Sequence, residues 1–268
     1  MSYRSVEPGR GIAWLTDAGQ LVLKAPAVFL VQALILAVIS LVPVLGQLVM
    51  IVLGPAFLAG MVWSMREADQ GRNPEIPQLF EGFTREGKIG ALIALCLPAI
   101  AGAVLLLVLG VLFLGGALIS AAFSGYDAGA ATALGLGGGM LLYTLLALAV
   151  ALAIYSLVVF SIPRVMFDGV EPFAAMRESL AASLANIGPL LIFSLVFFVA
   201  ALIVLVVLSL VPVLGTIVAY LLIHAVLAGA VYIAYRDVFA GGALVATVIT
   251  PPPPAPEPPS TPPAPPAE

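Results

Sequence analysis

Six apolar stretches, each bounded by charged or turn-forming residues, set the pattern of this chain. They cover residues 26–41, 47–65, 89–123, 139–162, 189–210 and 213–235. A helix needs about 20 apolar residues to cross the hydrocarbon core of a bilayer, so the pattern predicts six membrane-spanning helices. The third stretch is overlong for one straight crossing. Pro98, Gly102, Gly110, Gly115 and Gly116 give it places to bend, tilt or end. A shorter stretch of mixed character precedes each pair of spans: residues 11–26, 76–90 and 171–189. In the second, Ile76, Leu79, Phe80 and Phe83 fall at helical spacing; in the third, Phe173, Met176, Leu180 and Leu184 do the same. That period predicts amphipathic helices lying at the membrane surface with their apolar faces down.

One part of the pattern is duplicated. Residues 40–62 (SLVPVLGQLVMIVLGPAFLAGMV) return at 209–231 as SLVPVLGTIVAYLLIHAVLAGAV, with an identical block of seven and 14 of 23 positions matching. The duplicated unit is a tight hairpin whose outer turn is marked by Pro43 and Gly46 in one copy and by Pro212 and Gly215 in the other. Four spans separate the copies, so they run parallel. Each also carries a pair of small residues four apart, Ala56 with Gly60 and Ala225 with Gly229. Such pairs let helix backbones approach closely in lipid, and we assign them to helix packing. The fold class that follows is all-α, a polytopic membrane bundle of three hairpins (26–66, 89–163 and 189–236) with short cytoplasmic interfacial helices. Residues 1–25 form the N-terminal segment with its amphipathic helix, 26–239 the membrane domain and 240–268 a proline-rich tail.

Charge adds orientation. All ten Lys and Arg fall in alternate segments: Arg4, Arg10 and Lys24; Arg66, Arg72, Arg85 and Lys88; Arg164 and Arg177; and Arg236. The turns around Pro43, Tyr126 and Pro212 contain none. Short cytoplasmic loops are enriched in these residues, which predicts both termini in the cytoplasm. Composition agrees on lipid: 62% of residues are hydrophobic, 9% are charged and mean hydropathy is +1.19, against about 45–50% and 25% in soluble domains. The N-terminus reads as no signal peptide. A net charge of −4 without a clustered basic face argues against nucleic acid.

Candidate chemistry is sparse. Intramembrane ionisable groups mark function by default, yet the six stretches hold no Asp, Glu, Lys or Arg, and His224 is the one group there that titrates near neutrality. It stands where the first copy has Pro55. A neutral imidazole bonding to a neighbouring helix is the favoured role, with a proton relay or ligand site as the alternative. Lone Cys96 excludes an intrachain disulfide, and nothing else supplies a metal cluster or a nucleophilic triad. We therefore expect no catalytic residues, metal or cofactor. Gln32, Thr144, Ser156, Ser161, Ser194 and Thr216 are read as bonding locally. Trp14, Trp63, Tyr143, Tyr155, Tyr220, Tyr232 and Tyr235 are candidates for the interfacial aromatic belt. The basic loop residues Arg66, Arg72, Arg85 and Lys88 could meet anionic headgroups, but Glu67, Asp69, Glu75, Glu81 and Glu86 share their loop and favour a mutually paired surface. In the tail, 11 of the 22 prolines fall within 18 residues. It has the composition of extended polyproline II, which aromatic grooves can recognise.

Three features, Pro172–Ser179 as Pro-Phe-Ala-Ala-Met-Arg-Glu-Ser, the Asn186–Pro189 entry and the closing Tyr-Arg-Asp-Val-Phe at 235–239, carry a resemblance. Over about residues 8–240 the chain resembles a family of uncharacterised six-span inner-membrane proteins of proteobacteria. It is more distantly similar to the membrane domain attached to some glycerophosphodiester phosphodiesterases, whose catalytic domain has no counterpart here. The resemblance implies location and fold, and no reaction. The expectation is a non-enzymatic integral inner-membrane protein with a structural, lipid-associated or accessory role in the envelope, and membrane lipids as partners. A cytoplasmic partner for the tail and a second copy of the chain stay open. The alternative is a transporter for a small uncharged or apolar solute.

Overall fold

The computed structural model describes residues 3–116, 119 and 129–240. Everything regular among the described residues is helical. The main elements are α1 (Arg10–Lys24), α2 (Pro26–Ser40), α3 (Leu45–Asp69), α4 (Glu81–Thr84), α5 (Lys88–Ala94), α6 (Leu97–Gly110), α7 (Gly129–Val158), α8 (Pro172–Ala185), α9 (Ile187–Leu208) and α10 (Leu214–Tyr235). Five helical segments are long and apolar enough to cross a membrane singly: Leu45–Asp69, Lys88–Phe113, Gly137–Asp168, Ile187–Leu208 and Leu214–Phe239. A sixth crossing arises only if α1 and α2, bent by 102° at Ala25, are taken together. The reason lies in length. With 15 residues, α2 rises only about 22 Å against a hydrocarbon core of about 30 Å.

The duplicated block folds twice into the same outer turn. Leu45 N donates to Pro43 O at 2.7 Å, and Leu214 N donates to Pro212 O at 2.7 Å. Each bond closes a three-residue γ-turn on a valine. Val44 has φ 64° and ψ −58°, and Val213 has φ 62° and ψ −63°. They are the two non-glycine residues with positive φ among those described. A β-branched residue pays a steric cost in this region. Gly46 and Gly215 are needed beside them because a Cβ would run into the carbonyls of Ile39 and Leu208 respectively.

The third predicted span is interrupted. Pro98 has no N–H to offer Ala94, and the chain breaks at Leu95–Cys96 between α5 and α6. Beyond α6 it widens into a π turn at Val111–Gly115; its expected continuation toward residue 123, the turn around Tyr126 and the 251–268 tail lie outside the described residues. The fourth begins earlier than expected, so that the glycines at 137–139 are helical. At its other end α7 stops at Val158, and a single turn, Ser161–Pro163, leads into a π turn, Arg164–Asp168. Arg236–Ala240 after α10 is also a π turn that opens on an arginine.

Packing follows one rule applied three times: the short segment before a helix pair lies over the end of another pair's second helix. The segment Ile76–Thr84 lies on α3, where Gly60 admits the carbonyl of Leu79 and Gly82 admits that of Ala56. Helix α8 lies on the end of α7, where the Ser179 hydroxyl donates to Ser156 O at 2.8 Å and accepts Phe160 N at 3.1 Å. Helix α1 lies on α10, with Ala18 Cβ 3.1 Å from where Gly229 would carry a Cβ. The first helix thus packs on the last, and the arrangement closes into a ring.

Burial is concentrated at this ringed end. Trp14, Phe29, Met61, Met65, Leu79 and Phe160 are almost fully buried there, while Leu45, Leu48 and Ile51 at the far end of α3 are exposed, and only Pro189, Leu190 and Phe193 of α9 are buried. Two surface-helix expectations change. The stretch at 76–84 is a 3-10 turn (Ile76–Phe80) followed by the single turn α4, not one continuous helix. Its Leu79 is inserted into the bundle. In α8, Phe173, Leu180 and Leu184 face outward while Met176 is buried.

Candidate functional site at the charged end

An arginine stands near the ringed end of each pair's second helix: Arg66 in the last turn of α3, Arg164 in the π turn that follows α7 and Arg236 directly after α10. Two of the three are tied to carboxylates. Arg164, 2% exposed, reaches Asp168 with Nη1 at 2.6 Å and Glu178 with Nε at 3.0 Å, and its guanidinium carbon lies 4.9 Å from the centre of the Phe239 ring. Asp168 also accepts the Tyr235 hydroxyl at 2.8 Å. Arg236 Nη1 meets both oxygens of Asp69 at 3.1 and 2.9 Å, and Tyr232 donates to the same carboxylate at 2.8 Å. Charges this enclosed are tolerable only when paired and hydrogen-bonded.

Arg66 is arranged differently. Its guanidinium carbon lies 4.8 Å from the centre of the Phe167 ring and 5.5 Å from that of Trp63. Arg85 stacks on the same indole at 3.6 Å while its Nε donates to Glu81 at 2.7 Å. Arg72 donates to Glu67 through Nη2 at 2.6 Å, and this bond pushes the Arg72 guanidinium further above its ordinary value. Lys88 Nζ donates to Val165 O at 2.9 Å.

The N-terminus is stitched to the chain's far end. Asp237, 8% exposed, accepts Arg10 Nε at 2.8 Å and Trp14 Nε1 at 3.0 Å. Asn186, fully buried between α8 and α9, accepts Val6 N at 2.8 Å and donates to Arg4 O at 3.1 Å. Arg4 N in turn donates to Val238 O at 2.9 Å. Trp14 is therefore a core residue and not part of a lipid-facing belt; Tyr232 and Tyr235 are likewise buried. Nothing in the local sequence around Trp14 announces a partner 223 positions away.

The remaining candidates are dispersed. His224 Nδ1 pairs with the Tyr220 carbonyl of its own helix at 2.9 Å, and its ring stacks on Tyr220 at 3.7 Å. Tyr220 lies 3.4 Å from the Ser40 hydroxyl, which links α10 to the first outer turn. The small residues Ala56 and Gly60 receive a turn, and Gly229 receives α1 beside the buried Ala225. Gln32, fully buried in α2, does more than bond locally: Nε2 donates to Ser64 Oγ at 2.8 Å and to Glu75 O at 3.2 Å, clamping the inserted turn against α2 and α3. Among the described residues no group of three or more His, Cys, Asp or Glu could hold a metal ion. No family model matches the chain, and no curated protein or solved structure is significantly similar to it.

Proposed function

We propose that this chain is a non-enzymatic six-span inner-membrane protein with a structural, lipid-associated role in the envelope. Its charged end faces the cytoplasm, and α1–α2 supplies the sixth crossing as an interfacial helix and a short span. The carrying observation is the sorting of polarity. The ion pairs described above gather at the ringed end, and the apolar ends of the helices offer side chains to lipid. Between α7 and α9 the cavity among Leu152, Tyr155, Ser156, Leu190 and Ser194 measures about 70 Å³, small beside the roughly 300 Å³ of solute sites, and the cavities of about 350 and 300 Å³ lie at the charged end. His224 is turned onto its own helix, which weighs against a relay.

Two measurements test this. A reporter active only in the cytoplasm, fused after Phe239, is expected to be active; activity at the Tyr126 turn instead reverses the orientation. In proteoliposomes, osmotic swelling with glycerol or another small uncharged solute is expected to match that of empty vesicles. Solute-selective swelling would establish the transporter reading in its place.

A further inference from the structure

Three arginines occupy comparable places at the ends of α3, α7 and α10, but their charge balance differs. Around Arg66 the carboxylates are already engaged: Glu67 by Arg72, Asp69 by Arg236 and Tyr232, Asp168 by Arg164 and Tyr235, and Glu81 by Arg85. Among the described residues Arg66 has aromatic neighbours and makes no ion pair, although its charge acts on Glu67 through space. A cation over an aromatic ring is attracted through the face of its guanidinium, which leaves the N–H groups on its edge able to donate. Arg85 brings a second guanidinium to the Trp63 ring, and Lys88 stands three positions further on. A planar fork of donors with a second cation nearby matches a phosphate.

Two cavities at this end are balanced in charge. The cavity of about 350 Å³ that Lys88 lines is shared with Glu171, so its charge is balanced. The cavity of about 300 Å³ among Asp17, Lys24, Asp69 and Arg236 is balanced in the same way. Arg66 is the one of the three arginines whose guanidinium makes no ion pair among the described residues.

We infer that Arg66, held on Trp63 and Phe167 and assisted by Arg85, binds the phosphate of an anionic phospholipid headgroup from the leaflet at the charged end. The site rests on the proposed placement of that end at the membrane surface. Trp63 serves as its floor and also reports on it. The chain has two tryptophans, so Trp14→Phe leaves Trp63 as the single indole.

The experiment titrates this variant, purified in detergent, with phosphatidylglycerol in mixed micelles and follows Trp63 emission. A saturable change is expected, with the half-saturation point raised at least about tenfold by Arg66→Gln, the equivalent of losing one charge-assisted contact. It should be unmoved by Arg177→Gln, a change at an exposed arginine of α8. Phosphatidylcholine should give no saturable change, and neither should millimolar inorganic phosphate or glycerol 3-phosphate. An equal response in Arg66→Gln, or an equal response to phosphatidylcholine, overturns the site. Saturation by inorganic phosphate that blocks the lipid response overturns the lipid and makes the ligand a soluble phosphate. If Trp14→Phe does not fold, native mass spectrometry of the otherwise unaltered chain makes the same comparison: retained phosphatidylglycerol, lost in Arg66→Gln. Reporter topology and solute flux do not involve Arg66, so failure here is distinguishable from failure of the proposed function.

Discussion

The hydroxyl of Ser179 accepts the amide of Phe160 at 3.1 Å. It also donates to the carbonyl of Ser156, the residue one helical turn before Phe160, at 2.8 Å. One side chain from α8 thus stands inside the hydrogen-bond ladder of the preceding helix. An inserted side chain is a recognised cause of helix kinks. Pro163, three residues on, removes a further ladder donor. Together these account for the end of α7 at Val158 and the π turn that presents Arg164 to Glu178.

Ser179→Ala is expected to leave that amide and carbonyl facing each other without a bridge, in a fully buried position. The cost should be about 1–3 kcal/mol, measured by SDS-induced unfolding in mixed micelles. A loss below about 0.5 kcal/mol, smaller than a typical net hydrogen bond, would mean that the ladder recloses directly.

Both outer turns should answer differently to small changes made two positions apart. Val44→Gly and Val213→Gly relieve the positive-φ strain but loosen the unfolded chain, so each should change stability by less than about 1 kcal/mol. Gly46→Ala and Gly215→Ala should each cost about 1–3 kcal/mol by forcing a Cβ onto a backbone carbonyl. Equal effects at both positions in the same unfolding assay would count against the turn geometry.

Asp237→Ala leaves Arg10 without its close partner and Trp14 Nε1 without an acceptor. Removing one member of a buried ion pair costs about 3–5 kcal/mol; Arg10 is partly exposed, so the lower end is expected. Amide hydrogen exchange at residues 4–6 should accelerate together with this loss, because Arg4 N is held by Val238 O next door. Unchanged exchange there would separate the N-terminal stitch from the ion pair.

Gln32→Leu removes the donors that hold the Glu75–Ile76 carbonyls. It also removes an amide oxygen that has no partner among the described residues. The expected net stability change is small, about 1 kcal/mol or less. The segment at 70–80 should nonetheless become more accessible to limited proteolysis. A cleavage pattern identical to the parent's would show that Leu79 alone anchors the turn.

What could be read from the sequence was whatever depends on composition and local order. The apolar stretches, the identical outer turns and the gathering of arginines at alternate boundaries are all one-dimensional signals. Pro43 and Gly46 mark an outer turn, but its γ geometry and the valine in positive φ are not legible, since Gly46 two positions later is the residue that ordinarily draws that conformation. Side chains engaged across the ring escaped. Trp14 looks like an interface residue until Asp237 is beside it, Gly60 looks like a helix-contact glycine until the Leu79 carbonyl fills it, and Ser179 looks like any helix hydroxyl. The apolar stretch at 26–41 matches α2, but the 102° bend that separates α2 from α1 escaped. That Arg66 makes no ion pair depends on which carboxylates are engaged by other groups, and that is a matter of three-dimensional placement.

The packing of α1 on α10 has a consequence for biosynthesis. Helix α1 precedes α9 and α10 along the chain, so Trp14 meets its partners Phe193 and Asp237 only after the intervening helices have been made.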